Sequence, residues 1–307
     1  MISIIITVYN KANFLKDAIE SALRQNCRDK EIIIVDGSTD NSAQAVLSSY
    51  GDEVTVIKHG VNPSANEFRA ILRNRGILAA KGGYFVFLDD DDMLHPDMIP
   101  DTVEYMDAHH STGMVYTGLE FIDAGGAFLD SGRNIYNFHE GQIFKNLLLA
   151  NCIAVHTALI PRTVIEKTGM FDESLPAAND WDLWIRISRH FPVGHLPVVR
   201  AYYRIHNNSF HTNKRKMLEG NIALAEKYLA KTSPVSLDKE EKNILISSVW
   251  YNKAKIEYTN NNIPAAVILM LKSLFIYPPR IKTNLLSMKF MKREKLSSLA
   301  ATARKHG

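Results

Sequence analysis

The residues best suited to chemistry lie in one short stretch, Tyr84 to Pro96, YFVFLDDDDMLHP. Its first five residues are continuously apolar and read as a strand buried on both faces. Four carboxylates follow without a break: Asp89, Asp90, Asp91 and Asp92. Adjacent anions at the end of a buried strand repel one another and lose solvation, so they need protons, partners or a cation. A hard divalent cation taking oxygen ligands, with phosphates completing its shell, is the most economical solution. The competing reading is a solvated acidic turn in which one aspartate caps the next helix. That helix is announced by His95-Pro96-Asp97, with proline in its first turn.

Such a run becomes a site only if a scaffold brings distant groups to it. The first third of the chain alternates strand and helix signals. Ile2 to Val8 is a β-branched strand, and Leu15, Ala18, Ile19, Ala22 and Leu23 follow at helical spacing. Glu31 to Val35 is the next strand, with Ala43, Val46, Leu47 and Tyr50 marking its helix. Val54 to Ile57 is a third, followed by Phe68, Ile71, Leu72 and Leu78 at helical spacing; Tyr84 to Leu88 is the fourth. Repeated strand–helix units predict an α/β fold, a mostly parallel sheet with helices on both faces. In such sheets the loops after the strands' carboxyl ends line the ligand crevice. Tyr9-Asn10, Asp36 and the aspartate run all lie at such ends and are expected to converge.

The middle third is less regular. Met114 to Tyr116, Ala154 to Ile160 and Val198 to Tyr203 read as strands, 123–137 as a loop or hairpin, and a helix begins near Asp180. Beyond about residue 212 only helix signals remain: Lys214 to Lys231, Lys239 to Asn260, Ile263 to Ile276 and Ile281 to Met291. Ala254, Tyr258, Ala265, Leu269 and Leu274 before Pro278 have the pattern of one tetratricopeptide-like hairpin. With 307 residues, 46% hydrophobic and 22% charged, the chain has the composition of a globular protein with a sizeable core. A net charge of +3 is too small to argue for nucleic acid. Cys27 and Cys152 form neither a metal-ligand spacing nor a disulfide framework, which fits a reducing, cytoplasmic setting. No signal peptide is expected, since a core strand begins at Ile2, and the apolar run from Ile263 to Tyr277 is too short to span a membrane. Lys282, Lys289, Lys292, Arg293, Lys295, Arg304 and Lys305 read first as a solvated helix face. Peripheral contact with an anionic membrane surface is the alternative.

The order of motifs carries a resemblance. ITVYNK, EIIIVDGSTDNS, RNRGILAAKGGYFVFLDDDD, GMFDES, NDWDLWIR and YRIHNNS, in that sequence, resemble the family 2 glycosyltransferases of GT-A fold. The likeness covers roughly residues 1–212 as a catalytic domain and leaves 213–307 as a separate helical region. It implies inverting transfer of a sugar from a nucleotide-diphospho-sugar, a UDP-sugar foremost, with Mn²⁺ or Mg²⁺ as cofactor. The acceptor would be a saccharide or lipid-linked saccharide in bacterial surface polysaccharide synthesis, at the cytoplasmic face of the membrane. Carried over residue by residue, Asp89 and Asp91 match the DxD pair, with Asp91 as metal ligand, Asp90 between them and His206 as the late metal-site histidine. Thr7, Tyr9 and Asp36 match the nucleoside pocket, although one position before Gly-Ser-Thr is absent here. Asp36 also suits a plain Asp-Gly turn. Arg73 and Asn74 match the segment facing the diphosphate.

The same resemblance makes Asp180 the catalytic base: a sugar hydroxyl is a poor nucleophile until a carboxylate within reach takes its proton. The family's Glu before this Asp is Asn179 here. Asn179 or Asp180 would otherwise serve as a helix cap. Asp182, Trp181 and Asp92 are acceptor-side or supporting residues, the tryptophans Trp181 and Trp184 reading mainly as core. A sugar-phosphate nucleotidyltransferase would show a glycine-rich loop after the first strand, where Tyr9-Asn10-Lys11-Ala12-Asn13 has no glycine. A non-catalytic scaffold has no need to keep Asp91, Asp180 and His206 together.

Overall fold

The computed structural model describes residues 1–10, 12–59, 68–129, 138–207 and 213–280. The chain divides into two compact units, Met1–Leu224 and Ala225–Gly307. In the first, the elements run β1 (Ile2–Val8), α1 (Ala12–Leu23), β2 (Lys30–Asp36), α2 (Gln44–Leu47), β3 (Thr55–Lys58), α3 (Phe68–Ala79), β4 (Tyr84–Asp89) and β5 (Met93–Leu94). They continue with α4 (Met98–Ala108), β6 (Met114–Ile122), α5 (Phe144–Leu149), β7 (Ala158–Pro161), α6 (Arg162–Thr168), α7 (Asn179–His190) and β8 (Val193–Arg204).

All eight strands join one sheet in the order β3-β2-β1-β4-β7-β6-β8-β5. The half from β3 to β4 is parallel throughout, as the strand–helix repeat predicts. β1 lies between β2 and β4 and is buried at all seven positions. Ile4, Ile6 and Val8 share a core with Leu15, Ala18 and Ile19 of α1, while Ile5 packs on Gly76 of α3. The other half is mixed. β7 runs antiparallel to β4 and β6, β8 runs parallel to β6, and the two-residue β5 is antiparallel to β8.

Four elements differ from the sequence expectation. The helix after β2 is a single turn, though Ala43 and Tyr50 beside it remain buried. The strand expected over Ala154–Ile160 is split into a 3₁₀ turn, Val155–Thr157, and β7. The cause is local: the Thr157 N–H and hydroxyl both donate to the Ala154 carbonyl, and this turn replaces ladder bonds. β6 and β8 extend well beyond their apolar centres because they pair with one another along most of their length.

The helix α8 (Lys214–Leu229) contains the boundary between the units. In the second unit, α9 (Lys239–Thr259) opens with a capping box: the Glu241 N–H donates to Asp238 and the Asp238 N–H donates back to Glu241. Asn261 turns the chain with φ +59°, and α10 (Ile263–Ile276) folds back on α9. Buried Ser247 and Ser273 hydrogen-bond across the pair, and Arg280 packs on α9 with its guanidinium donating to the Ile244 carbonyl and Ser248. The helix expected over Ile281–Met291 lies outside the described residues.

Gly82, just before β4, sits against the start of β1. A methyl group there would lie 2.7 Å from the Ser3 backbone nitrogen and 3.0 Å from the Ile2 carbonyl carbon, whereas Gly83 faces open space. Gly82→Ala is therefore expected to destabilise the first unit by about 1–3 kcal/mol in urea unfolding. Gly83→Ala should stay near wild type.

Candidate active site

The aspartate run begins on the last residue of β4 and turns sharply, with the Asp92 N–H donating to the Asp89 carbonyl. Each carboxylate meets a different partner. Asp89 accepts from Arg73 Nη2 at 2.8 Å and from the Thr7 hydroxyl at 3.3 Å, with Arg69 Nη1 at 3.8 Å. Burial would raise its pKa, but the charges of Arg73 and Arg69 outweigh burial and hold it well below the usual carboxylate range. Asp90 accepts the backbone N–H of Tyr9 at 3.0 Å. Asp91 Oδ2 lies 3.0 Å from His206 Nε2. Asp92 accepts the Arg204 N–H at 2.9 Å and sits 3.2 Å from His156 Nδ1. Burial, then the charges of Asp91 and Asp89, push the Asp92 carboxyl well above its ordinary value.

Carboxylate oxygens of Asp89, Asp91 and Asp92 come within 4.8 Å of one another. The donor set is hard oxygen and the surroundings disfavour excess negative charge, so the cluster fits a hard divalent cation. The acidic turn does not cap a helix: α4 has Asp97 at its N-cap and no side-chain capping bond.

A second carboxylate is tied to this cluster through Arg73. While Nη2 holds Asp89, Arg73 Nη1 donates to Asn179 Oδ1 at 2.9 Å. Asn179 opens α7 and Asp180 follows it. The preceding Ala178 is left-handed (φ 60°), a strained conformation for alanine, and no side chain caps the helix. The N-cap position is therefore Ala178, and neither Asn179 nor Asp180. Asp180 accepts from Asn151 Nδ2 at 3.3 Å, and Asn151 is fixed by the Ile153 N–H. Burial raises the Asp180 carboxyl above its ordinary value, against the opposing charge of Arg73.

The nucleoside-side residues occupy the ends of β1 and β2. Asn10 clamps the two loops: its N–H donates to the Ser38 hydroxyl and its Oδ1 accepts the Thr39 N–H. It does so in a left-handed conformation (φ 51°) that asparagine tolerates. Asp36 is buried and accepts the Ser38 N–H at 2.9 Å, forming the Asp-Gly turn. Tyr9 is half-buried beside it in the same loop cluster.

Other expected residues lie inside the scaffold. Arg73 and Asn74, which the resemblance aims at a diphosphate, are buried. Both terminal nitrogens of Arg73 are committed as described, and its guanidinium lies 5.3 Å from the centre of the Phe171 ring. Asn74 exchanges two hydrogen bonds with the Phe171 backbone and donates to Glu173, fastening the GMFDES segment to α3. Asp182 is fully buried and paired with Arg186, whose guanidinium holds the carbonyls of Thr168, Gly169 and Met170. Trp181 and Trp184 are core, their indole N–H groups donating to the carbonyls of Leu147 and Ile153.

Four residues to which the sequence reading assigns no role belong to the same network. Arg69 stands one helical turn before Arg73, a spacing that puts both on one face of α3. Arg204, at the end of β8, is fully buried: Nε donates to the Asp91 carbonyl, Nη2 to Asp17, and its guanidinium stacks on Phe14. His156, in the 3₁₀ turn, is held neutral with its pKa pushed down to about 4 by burial, against the pull of Asp89 and Asp91. Asn151 completes the set.

Arg73→Met removes the charge from between Asp89 and Asn179 at nearly constant volume. At neutral pH it should destabilise by about 3–5 kcal/mol, the cost of a buried charge stripped of its partner. Stability from a depressed carboxylate is present above its unfolded pKa and is lost as pH falls through the folded one. The gap between wild type and variant should accordingly narrow with acidification, as urea titrations at several pH values will measure.

Comparison with known proteins agrees with this architecture. The chain is similar to an uncharacterized glycosyltransferase of Rickettsia typhi, 32% identical over 236 residues that make up 75% of this chain and 72% of that one. A relative from Rickettsia bellii, also an uncharacterized glycosyltransferase, is 34% identical over 62% of this chain, which spans only 27% of that protein's length. Among solved structures, S. aureus TarS 1-349 in complex with UDP-GlcNAc superposes with a TM-score of 0.62 at 16% identity, covering 92% of this chain and 83% of that one. The mannosyltransferase PcManGT from Pyrobaculum calidifontis in complex with GDP-Man and Mn²⁺ gives 0.58, also at 16% identity, covering 93% and 84%. These likenesses establish the GT-A fold. The model described as Glycosyl transferase family 2 matches residues 3–169, and with it the chain belongs to that family.

Proposed function

We propose that this chain is an inverting glycosyltransferase that moves a sugar from a nucleotide-diphospho-sugar to a hydroxyl of a saccharide or lipid-linked acceptor. The observation that carries the reading is the Arg73 bridge, which joins the aspartate cluster and the segment bearing Asp180 in one buried network. Arg73 thereby links Asn179, the neighbour of Asp180, to the strand end from which the other aspartates follow. The solved relatives carrying UDP-GlcNAc, or GDP-Man with Mn²⁺, support a nucleotide-sugar donor, and a UDP-sugar is the donor we assign.

The roles follow from placement. Asp91 and His206 would hold Mn²⁺ or Mg²⁺, which supplies positive charge where the diphosphate departs. Asp89 and Thr7 brace the cluster from β4 and β1. Asp90, through the Tyr9 N–H, fixes the loop on which the base would rest, and Asp36 shapes the facing turn. Asp180 takes the proton of the acceptor hydroxyl as it attacks. A single displacement opposite the leaving group inverts the anomeric carbon. Asn151 donates to the Asp180 carboxylate, a contact that favours its ionised form. Residues 1–212 form the catalytic part of this assignment, and 213–307 a helical adjunct. Its setting is the cytoplasmic side of surface polysaccharide synthesis.

The test is nucleoside diphosphate release from a panel of sugar nucleotides with Mn²⁺, with and without chelator. Release from at least one donor that the chelator abolishes is the expected result. Asp180→Asn should leave donor affinity nearly unchanged and reduce turnover by about 10²–10⁴-fold, the usual contribution of a positioned base. Because burial raises the Asp180 pKa and the base must be ionised, turnover should climb with pH along an acid limb lying above the ordinary carboxylate range. Asn151→Ala should move that limb higher still; a limb that does not move removes Asn151 from this role. Asp91→Ala should lower Mn²⁺-dependent donor affinity itself, and unchanged affinity in calorimetry would take the metal-ligand role from Asp91.

A further inference from the structure

The second unit carries a surface that the transferase chemistry does not use. α10 packs on α9 through Ala266 and Ser273, yet its opposite side is also apolar. Ile263, Val267, Leu271 and Phe275 recur every fourth residue, with Ile268 beside them, and are 48%, 52%, 60%, 89% and 55% exposed respectively. Lys272 is the one charged residue in this helix, IPAAVILMLKSLFI. Single exposed aliphatics are ordinary, but five large ones forming a continuous stripe mark a contact surface. A helix apolar all round is stable only when its second face is covered as well as its first.

The neighbouring sequence indicates what covers it. After Arg280 the chain contains seven lysines and arginines and a single acidic residue, Glu294. The chain's positive surplus lies wholly there, and the residues before it are acidic on balance. An apolar stripe followed directly by a basic run matches an anionic lipid surface, acyl chains meeting the one and headgroups the other. Spanning is ruled out for α10 by length: 14 residues rise about 21 Å, short of the roughly 30 Å hydrocarbon core. No helix among the described residues is long and apolar enough to cross a membrane.

We propose that α10 lies flat on an anionic bilayer, with the Ile263–Val267–Leu271–Phe275 stripe in the headgroup–acyl boundary. The inference is independent of the reaction assigned above. It is tested by co-sedimentation of the full chain with phosphatidylcholine vesicles containing or lacking phosphatidylglycerol. Sedimentation should depend on phosphatidylglycerol and weaken with salt. Leu271→Glu combined with Phe275→Glu should reduce vesicle partitioning by about tenfold or more, since burying one such side chain is worth at least that factor. The thermal midpoint and nucleotide-sugar hydrolysis in solution should be unaffected. Phe275→Trp, which keeps the apolar character, should show an emission blue-shift when phosphatidylglycerol vesicles are added.

Absence of vesicle binding, equal binding by the double variant, or unchanged Phe275→Trp emission overturns the proposal. A dimer in light scattering that the double variant disperses, without vesicle binding, would give the stripe to a second copy. Unfolding of the second unit by the double variant would give it to the chain's own remaining residues, and either result also overturns it.

Discussion

Uncompensated negative charge at the buried end of β4 is the constraint on which the first unit is arranged. Four consecutive carboxylates cannot all be ionised there without partners, because desolvation costs several kcal/mol for each ion. Arg69 and Arg73 of α3 pair with Asp89, and the Tyr9 N–H donates to Asp90. His206 stands beside Asp91, while Asp92 meets the neutral His156 and accepts the Arg204 N–H. The balance is uneven. Asp89 is over-satisfied and ionised, whereas Asp92 is pushed toward its protonated form by burial and its neighbours. Asp91 lies 3.0 Å from His206.

The same arginines that settle the charge also set the geometry. A guanidinium is planar and presents a fixed fork of donors, so engaging two acceptors sets the distance between them. Arg73 does this for Asp89 and Asn179, and Arg204 for the aspartate backbone, Asp17 and the loop after β6. With asparagine at 179, the Arg73 charge is shared with one carboxylate rather than two. The asparagine oxygen still completes the fork, and Asp180 next to it keeps a raised pKa. A glutamate in that place would bring a further anion into a region already rich in them.

The two units show contrasting solutions to exposed surface. In the first, polar groups are buried and must be matched one by one. In the second, Ser247, Ser273 and Arg280 are matched between α9 and α10, while a whole apolar face of α10 is left outward. The matched family region, residues 3–169, lies within the first unit. It is silent on the helices after β8, whose surface chemistry has to be read from their own residues.

By itself the sequence determined the parallel half of the sheet, the position of the aspartate run at a strand end, and the α9–α10 hairpin. Each rests on local information: apolar periodicity, β-branching, and turn residues such as Asn260-Asn261-Asn262. It also marked Asp180 and His206, through motif order. Only the tertiary structure decided that Arg73 and Asn74 are buried cross-links and that Arg204 and His156 underlie the acidic cluster. Those outcomes depend on residues that meet across 64 to 113 positions of chain, as when His156 reaches Asp92 and Arg204 reaches Asp91. A partner that far away leaves no trace in local spacing, because burial and pairing are properties of the folded assembly and not of any one segment.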